Sequence, residues 1–152
     1  MPYDLFLEFV HDIDVSLLSY DGRLDQALSR IPGRKIIFTN GTARHAENVL
    51  GQLKLGHHFE SIFDIAATGF VPKPHAQAYH HVVAAAGIRA RRAVMVDDSV
   101  KNLAPAFDMG MITVWAAGKA QWSGPGPQPD EAHIHHMTDD IGGFLETVFP
   151  PL

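Results

Sequence analysis

Apolar side chains recur at three- and four-residue steps over much of the chain, a spacing that places them on one face of a helix. This pattern predicts six helices, over residues 5–13, 24–31, 43–53, 78–86, 100–109 and 141–148. Gly87 and Gly110 stand just past two of them, where the end of a helix favours glycine.

Short apolar runs rich in β-branched residues lie between these helices. They predict buried strands over residues 35–40, 61–65, 93–96 and 111–116, and His133–His136 predicts a short edge strand. Alternating strands and helices indicate a mainly parallel sheet with right-handed crossovers and helices on both faces. The predicted fold class is therefore α/β, a Rossmann-like three-layer sandwich.

Composition narrows the classes of function. The 152 residues are 46% hydrophobic and 19% charged, which is enough for one domain with a real core. The net charge of −5, without a basic stripe, argues against nucleic acid as a partner. The absence of cysteine excludes a disulfide scaffold, a thiolate zinc site and a cysteine nucleophile. No apolar run approaches the roughly 20 residues that span a bilayer, and no signal peptide is visible, so we expect a cytoplasmic protein without a membrane partner.

Polar groups follow the first predicted strand at Thr39-Asn40-Gly41. In open α/β sheets, ligands bind beyond the carboxyl ends of the strands. A hydroxyl, an amide and a glycine backbone before a helix could hold a phosphate, because free N–H groups and the helix dipole favour an anion. The alternative is that these residues only form a turn and an N-cap.

Lys73 is the second candidate, between Pro72 and Pro74 in the loop before a predicted helix. The two prolines restrict the backbone and so direct the lysine. An ammonium held in this way can neutralise a phosphate or a carboxylate. The alternative is an ordinary solvated surface lysine.

Asp97 and Asp98 directly follow a buried strand and form the third candidate. Adjacent carboxylates repel each other unless a cation or hydrogen-bond donors lie between them. Mg²⁺ suits such a pair, since it prefers oxygen ligands and retains water. An N-cap role for one of the two is the alternative, which leaves the other carboxylate unexplained.

The ordered set of Thr39, Lys73 and the Asp97-Asp98 pair resembles the haloacid dehalogenase (HAD)-like hydrolase superfamily. More narrowly, Phe38–Gly41, Val71–Pro74 and Val96–Asn102 resemble its pyrimidine 5′-nucleotidase branch. Phe9–Asp14 resembles the end of the helical cap of that branch. The resemblance divides the chain into residues 1–20, a remnant of the cap and hinge, and residues 21–152, the HAD-like α/β core.

The resemblance implies a role for each candidate residue. Thr39 would bind the phosphoryl group with backbone amides near Asn40 and Gly41. Lys73 would neutralise that group, and Asp97 and Asp98 would hold Mg²⁺, one of them directly and one through water. The implied substrate is a small phosphorylated metabolite such as a nucleotide monophosphate.

The family also requires a nucleophilic Asp, with a second Asp two residues later, at the end of a central first strand. Asp12 and Asp14 imitate this pair by their spacing. The helical periodicity before them and His11, where a buried apolar residue is expected, argue against a strand there. The resemblance therefore predicts that the central first strand is missing, with Asp12 and Asp14 as the chain's candidates for nucleophile and acid–base group.

A missing central strand would leave two neighbouring strands with unpaired N–H and C=O groups, which are costly when buried. The flanking strands could close on each other, the N-terminal segment could fill the space, or a second chain could pair there. We expect association, most simply as a homodimer.

The ten histidines raise the question of a further metal site. His133 and His135 would share one face of the last strand, but no third ligand is identifiable, so surface positions are expected. His57 and His58 end a predicted helix, where positive charge is favourable.

Two functions follow. The first is a Mg²⁺-dependent phosphohydrolase that works through an aspartyl-phosphate, truncated here and of low or no activity alone. The second is a non-catalytic module with the same fold that binds phosphate or a partner chain.

Overall fold

Five helices and five strands occur along the residues that the computed structural model describes, 13–118 and 132–151. In chain order they are α1 (Gly22–Arg30), β1 (Ile36–Phe38), α2 (Ala43–Leu53), β2 (Ser61–Phe63), α3 (Ala76–Ala86), β3 (Val94–Asp97), α4 (Val100–Asp108), β4 (Ile112–Ala116), β5 (His136–Thr138) and α5 (Ile141–Val148). Two single 3₁₀ turns, Gly56–His58 and Ala90–Arg92, precede β2 and β3. None of the described helices is both long and apolar enough to cross a membrane.

The chain divides into two compact units, and the first comprises residues 1–71 and 145–152. In it β1 pairs in parallel with β2. Helix α1 begins after Asp21, whose carboxylate accepts the backbone N–H groups of the two residues Arg23 and Leu24, so this side chain is its N-cap. Glu146 of the last helix lies 2.6 Å from Nε of Arg23, which ties the end of the chain to α1.

The second unit, residues 72–144, contains the larger sheet. Its strand order is β3-β4-β5, and both pairings are parallel. Val100 and Leu103 of α4 pack with Trp115 of β4, and all three side chains are buried. The helix therefore covers one face of this sheet with an apolar core.

These elements confirm the predicted α/β class with parallel strands. The five described helices lie within two residues of their predicted bounds at each end, and the first four strands appear where β-branched runs predicted them. Gly87 ends α3 with φ of 63°, a left-handed conformation that glycine adopts without steric cost.

The prediction for the last strand was wrong in position. Strand β5 begins at His136 and not at His133. The backbone before it is held by Thr113 of β4, whose Oγ1 donates to the His133 carbonyl at 2.6 Å and whose N–H donates to Nδ1 of His135 at 3.1 Å. The His135 N–H also donates to the Thr113 carbonyl at 3.2 Å, so side-chain and backbone hydrogen bonds together hold these residues against β4 before the regular pairing begins.

Residues 1–12, with most of the predicted helix over residues 5–13 and the candidate Asp12, lie outside the described residues. The division into a cap remnant, 1–20, and a core, 21–152, stays a prediction.

The described strands form two separate parallel sheets. Within each unit, β1 pairs only with β2, and β3 pairs only with β4, as far as the described strands are concerned. On β3, Val94 and Val96 are 60% and 43% exposed, unusually high for valines of a parallel strand. Among the described strands, β1 and β2 are both edge strands of the first sheet, and β3 and β5 are the edge strands of the second. The missing central strand stays a prediction.

Leu103→Ala should destabilise the second unit by about 2–5 kcal/mol, because Leu103 is fully buried and its removal leaves a cavity. Urea unfolding followed by circular dichroism measures this loss. Leu17→Ala is the matched control, since Leu17 is 88% exposed, and it should change the free energy of unfolding by less than about 0.5 kcal/mol. Equal effects of the two substitutions would contradict the described core.

Candidate active site

Lys73 and Asp97 form a buried ion pair in the second unit. Lys73 lies in the loop before α3, and Asp97 is the last residue of β3. The lysine Nζ lies 2.6 Å from Oδ2 of Asp97, and the two side chains are only 9% and 5% exposed. The structure thus joins two residues that the sequence predicted separately, 24 positions apart.

The other oxygen of Asp97 is also occupied. Its Oδ1 accepts the backbone N–H of Ser99 at 2.9 Å and the side-chain amide of Asn102 at 3.0 Å. A buried carboxylate is stable only with such partners. Asp97 therefore holds the lysine and the start of α4, and it is poorly placed to offer both oxygens to a metal ion.

Tyr79 of α3 contacts Asn102, one of the partners of Asp97, and was not predicted as part of a site. It is 2% exposed, and its hydroxyl donates to the Asn102 carbonyl at 2.5 Å. Burial, reinforced by the negative charge of Asp97, raises the pKa of the Tyr79 hydroxyl. The group therefore stays protonated and serves as a donor that positions Asn102. The sequence does carry a signal for Asn102, because its amide lies in the first turn of the helix that follows the acidic pair.

Asp98 differs from its neighbour because it is exposed. Its backbone carbonyl accepts the indole N–H of Trp115 at 2.9 Å. The anchored backbone keeps the carboxylate of Asp98 at the surface, at the carboxyl end of β3. Of the two acids, Asp98 is the one open to a cation.

The predicted phosphate site lies in the first unit, where Thr39 follows β1. The Thr39 N–H donates to Phe63 of β2, and its Oγ1 accepts the Gly41 N–H at 2.9 Å. This side-chain contact closes a tight turn through Asn40. A phosphate that used the Gly41 N–H would have to displace the hydroxyl of Thr39.

Helix α2, which follows this turn, is capped by two side chains. Thr42 accepts the His45 N–H at 3.2 Å, and Oδ2 of Asp64 accepts the Ala43 N–H at 3.0 Å. The second oxygen of Asp64 accepts the Ala67 N–H at 2.8 Å. Asp64 was not predicted as a functional residue, although its position directly after β2 is the signal that could have found it. Asp64 therefore already occupies one of the backbone N–H groups at the start of α2.

The structure describes Asp14 but not Asp12. Asp14 is exposed, and its Oδ1 accepts the Ser16 N–H at 2.9 Å. Hydrogen bonds with the Ser16 side chain and then with this N–H lower the pKa of the Asp14 carboxyl. The residues around it, 13–20, contain a turn and no strand. The roles assigned to Thr39, Lys73 and the acids, and their convergence on one reaction centre, stay predictions.

The family assignment follows from the sequence profile that matches residues 5–110, described as haloacid dehalogenase-like hydrolase. The chain belongs to the haloacid dehalogenase-like hydrolases. A comparison with curated protein sequences finds no match.

Solved structures of other HAD-like proteins share the fold of this chain. L-2-haloacid dehalogenase from Xanthobacter autotrophicus, with chloropropionic acid covalently bound, superposes with a TM-score of 0.67 at 16% identity, over 91% of this chain and 64% of that one. A dehalogenase with an intermediate complex has a TM-score of 0.67 at 18% identity, over 86% and 54%. The HAD-hydrolase YfnB from Bacillus subtilis, bound to magnesium, has a TM-score of 0.66 at 19% identity, over 83% and 54%. The HAD-like chain thus spans 54–64% of these three relatives.

Lys73→Met should lower the free energy of unfolding by about 3–5 kcal/mol, because it leaves the buried Asp97 carboxylate without its cation. In an Asp97→Asn background the same substitution should cost clearly less, and the difference is the coupling energy of a double-mutant cycle. Chemical denaturation of the four proteins measures it.

Lys101→Met is the control for this cycle, since Lys101 is exposed on α4. It should show no coupling to Asp97→Asn and little change in stability. Equal costs of Lys73→Met in both backgrounds would contradict the ion pair.

Proposed function

We propose that this HAD-like chain is the α/β core of a Mg²⁺-dependent hydrolase that acts on a small phosphate ester, such as a nucleotide monophosphate. The observation that carries the proposal is the buried ion pair of Lys73 and Asp97 at the carboxyl end of β3, beside the exposed Asp98. Parallel α/β sheets bind their ligands at this end.

Lys73 is suited to an anionic substrate because Asp97 holds it in place. An ammonium carries three N–H donors, so the contact with Asp97 is compatible with a further contact to a phosphoryl oxygen. Burial lowers the effective dielectric around the charge and strengthens such a contact. Phosphoryl transfer asks a protein mainly for positioning and charge stabilisation, which a fixed cation supplies.

The donor set of the second unit fits Mg²⁺, which prefers carboxylate oxygens and retains water ligands. Asp98 would hold the ion directly through its exposed carboxylate. Asp97 would act through water, because Lys73, Ser99 and Asn102 already use its oxygens. Bound there, the ion would neutralise charge on the phosphoryl group. The similar protein YfnB is described with bound magnesium.

The proposed reaction also needs a carboxylate nucleophile. An aspartate attacks phosphorus, the alcohol leaves, and water then hydrolyses the acyl phosphate. Asp12 and Asp14 are the candidates that this chain offers. Because the described segment around Asp14, residues 13–20, contains no strand that would position its carboxylate, we expect low or no turnover by the chain alone, while binding of phosphate is retained.

Inorganic phosphate should bind to the chain in the presence of Mg²⁺, and Lys73→Met or Asp98→Asn should weaken this binding at least tenfold, because each removes a charge that the anion depends on. Isothermal titration calorimetry with and without Mg²⁺ measures the affinity. Lys101→Met should bind like the parent chain. A phosphate affinity that changes neither with Mg²⁺ nor with Asp98→Asn would overturn the proposal.

An activity assay distinguishes two substrate classes, phosphate esters and haloacids. Haloacids are the class suggested by the dehalogenases of the same fold. We expect any hydrolysis to be of p-nitrophenyl phosphate and to disappear with Asp12→Asn. Release of chloride from L-2-chloropropionate, with p-nitrophenyl phosphate untouched, would assign the chain to dehalogenation.

A non-catalytic module that binds a partner chain is the second candidate, favoured by the edge of β3 that no described strand pairs with. A strand edge exposes a row of N–H and C=O groups that can pair with another chain, and the exposed Val94 and Val96 add apolar surface beside it. We propose a second copy of this chain as the partner, giving a homodimer.

Light scattering coupled to size-exclusion chromatography should show a dimer whose fraction grows with concentration. Val94→Lys should shift it towards monomer, because a charge on an edge strand opposes pairing. Leu17→Lys is the control at an even more exposed apolar position outside this sheet. A clean monomer of the parent chain at high concentration would count against the homodimer.

A further inference from the structure

Asp25, His57 and His58 converge in the first unit, and none of them has a role in the function proposed above. Asp25 lies on α1, and the two histidines end the 3₁₀ turn before β2. Oδ1 of Asp25 is 2.5 Å from Nε2 of His58 and 3.4 Å from Nε2 of His57. Three ligand atoms thus meet around one point, and among the described residues no other such group of histidines and acids occurs.

A simple Asp–His hydrogen bond accounts for only part of this arrangement. It explains His58, whose side chain is 7% exposed and needs a partner for its ring nitrogen. It does not explain why the ring of His57, 63% exposed, also turns its Nε2 to the same oxygen instead of to water. The two ring centres lie 3.9 Å apart, so the imidazoles stand side by side above one carboxylate.

The distances suit a small tetrahedral ion. With metal–ligand bonds of about 2.0–2.1 Å, two ligand atoms of a tetrahedral zinc site lie about 3.3 Å apart. The contact from His57 to Asp25 already has this length, and His58 would have to withdraw by about 0.8 Å to reach it. Two imidazoles and a carboxylate leave a fourth position open, and the exposed side of His57 provides access from solvent.

Tyr20 fixes the orientation of the carboxylate. Its hydroxyl donates to the other oxygen of Asp25, Oδ2, at 2.8 Å. Hydrogen bonds from His58 and Tyr20 lower the pKa of the Asp25 carboxyl. A metal-binding carboxylate is commonly held by such an outer hydrogen bond. The amine of Lys54 in turn lies 5.9 Å from the centre of the Tyr20 ring.

We propose that Asp25, His57 and His58 bind a Zn²⁺ ion that links α1 to the turn before β2. Two imidazole nitrogens with one carboxylate oxygen match the preference of zinc, and they disfavour Mg²⁺, which selects oxygen ligands. The site is independent of the proposed hydrolase chemistry.

Titration of the whole chain with ZnCl₂ by calorimetry should reveal one site of micromolar affinity. Asp25→Asn and His57→Ala should each weaken this site at least tenfold, because each removes a ligand. His57→Ala is the safer variant for folding, since the side chain is mostly exposed. Circular dichroism should confirm that both variants keep the helices of the parent.

The matched control is the double substitution His80→Ala and His81→Ala, which removes another pair of adjacent histidines, both exposed on α3. It should leave the zinc affinity unchanged. Co²⁺ provides a second readout, since a tetrahedral site gives intense visible absorption that His57→Ala should abolish. Equal zinc affinity in the parent and in His57→Ala, or no site tighter than millimolar, would overturn the proposal.

Discussion

A buried charge must be paired, and in this protein that requirement organises the second unit around Asp97. Its carboxylate lies at the end of β3 with little exposure and receives three hydrogen bonds, from Lys73, Ser99 and Asn102. These bonds connect the loop before α3, the end of β3 and the first turn of α4. Because removal of any partner leaves a desolvated charge, the geometry of the whole cluster is strongly constrained.

The same constraint gives the two adjacent acids, Asp97 and Asp98, different surroundings. The side chain of Asp97 points to the buried face that α4 covers, where its oxygens are used by the protein. Asp98 comes one residue later and remains at the surface, with its backbone held by the indole of Trp115. One carboxylate is therefore enclosed by protein donors and the other is exposed to solvent, which is the arrangement that the proposed hydrolase would use.

The two sheets introduce a second physical requirement. Parallel strands are normally covered on both faces and paired on both sides unless they lie at an edge. Here β1 and β3 each have a single described partner, and β3 carries exposed valines. A strand supplied by another chain would satisfy both features. Association therefore bears on whether the chain can be active, since the resemblance to the family places the nucleophile on a central strand.

Local pattern alone determined the α/β class, the order of strands and helices, and three candidate groups at strand ends, because periodicity and turn residues depend on near neighbours in the chain. Tertiary structure decided which atoms meet. Contacts between separate elements include the hydrogen bond from Asn102 to Asp97 and the capping of α2 by Asp64. The hydrogen bond from Thr113 of β4 to His133, before β5, is another. Asp25 and the histidine pair 57–58 lie more than thirty positions apart, so no local pattern could have predicted their contact.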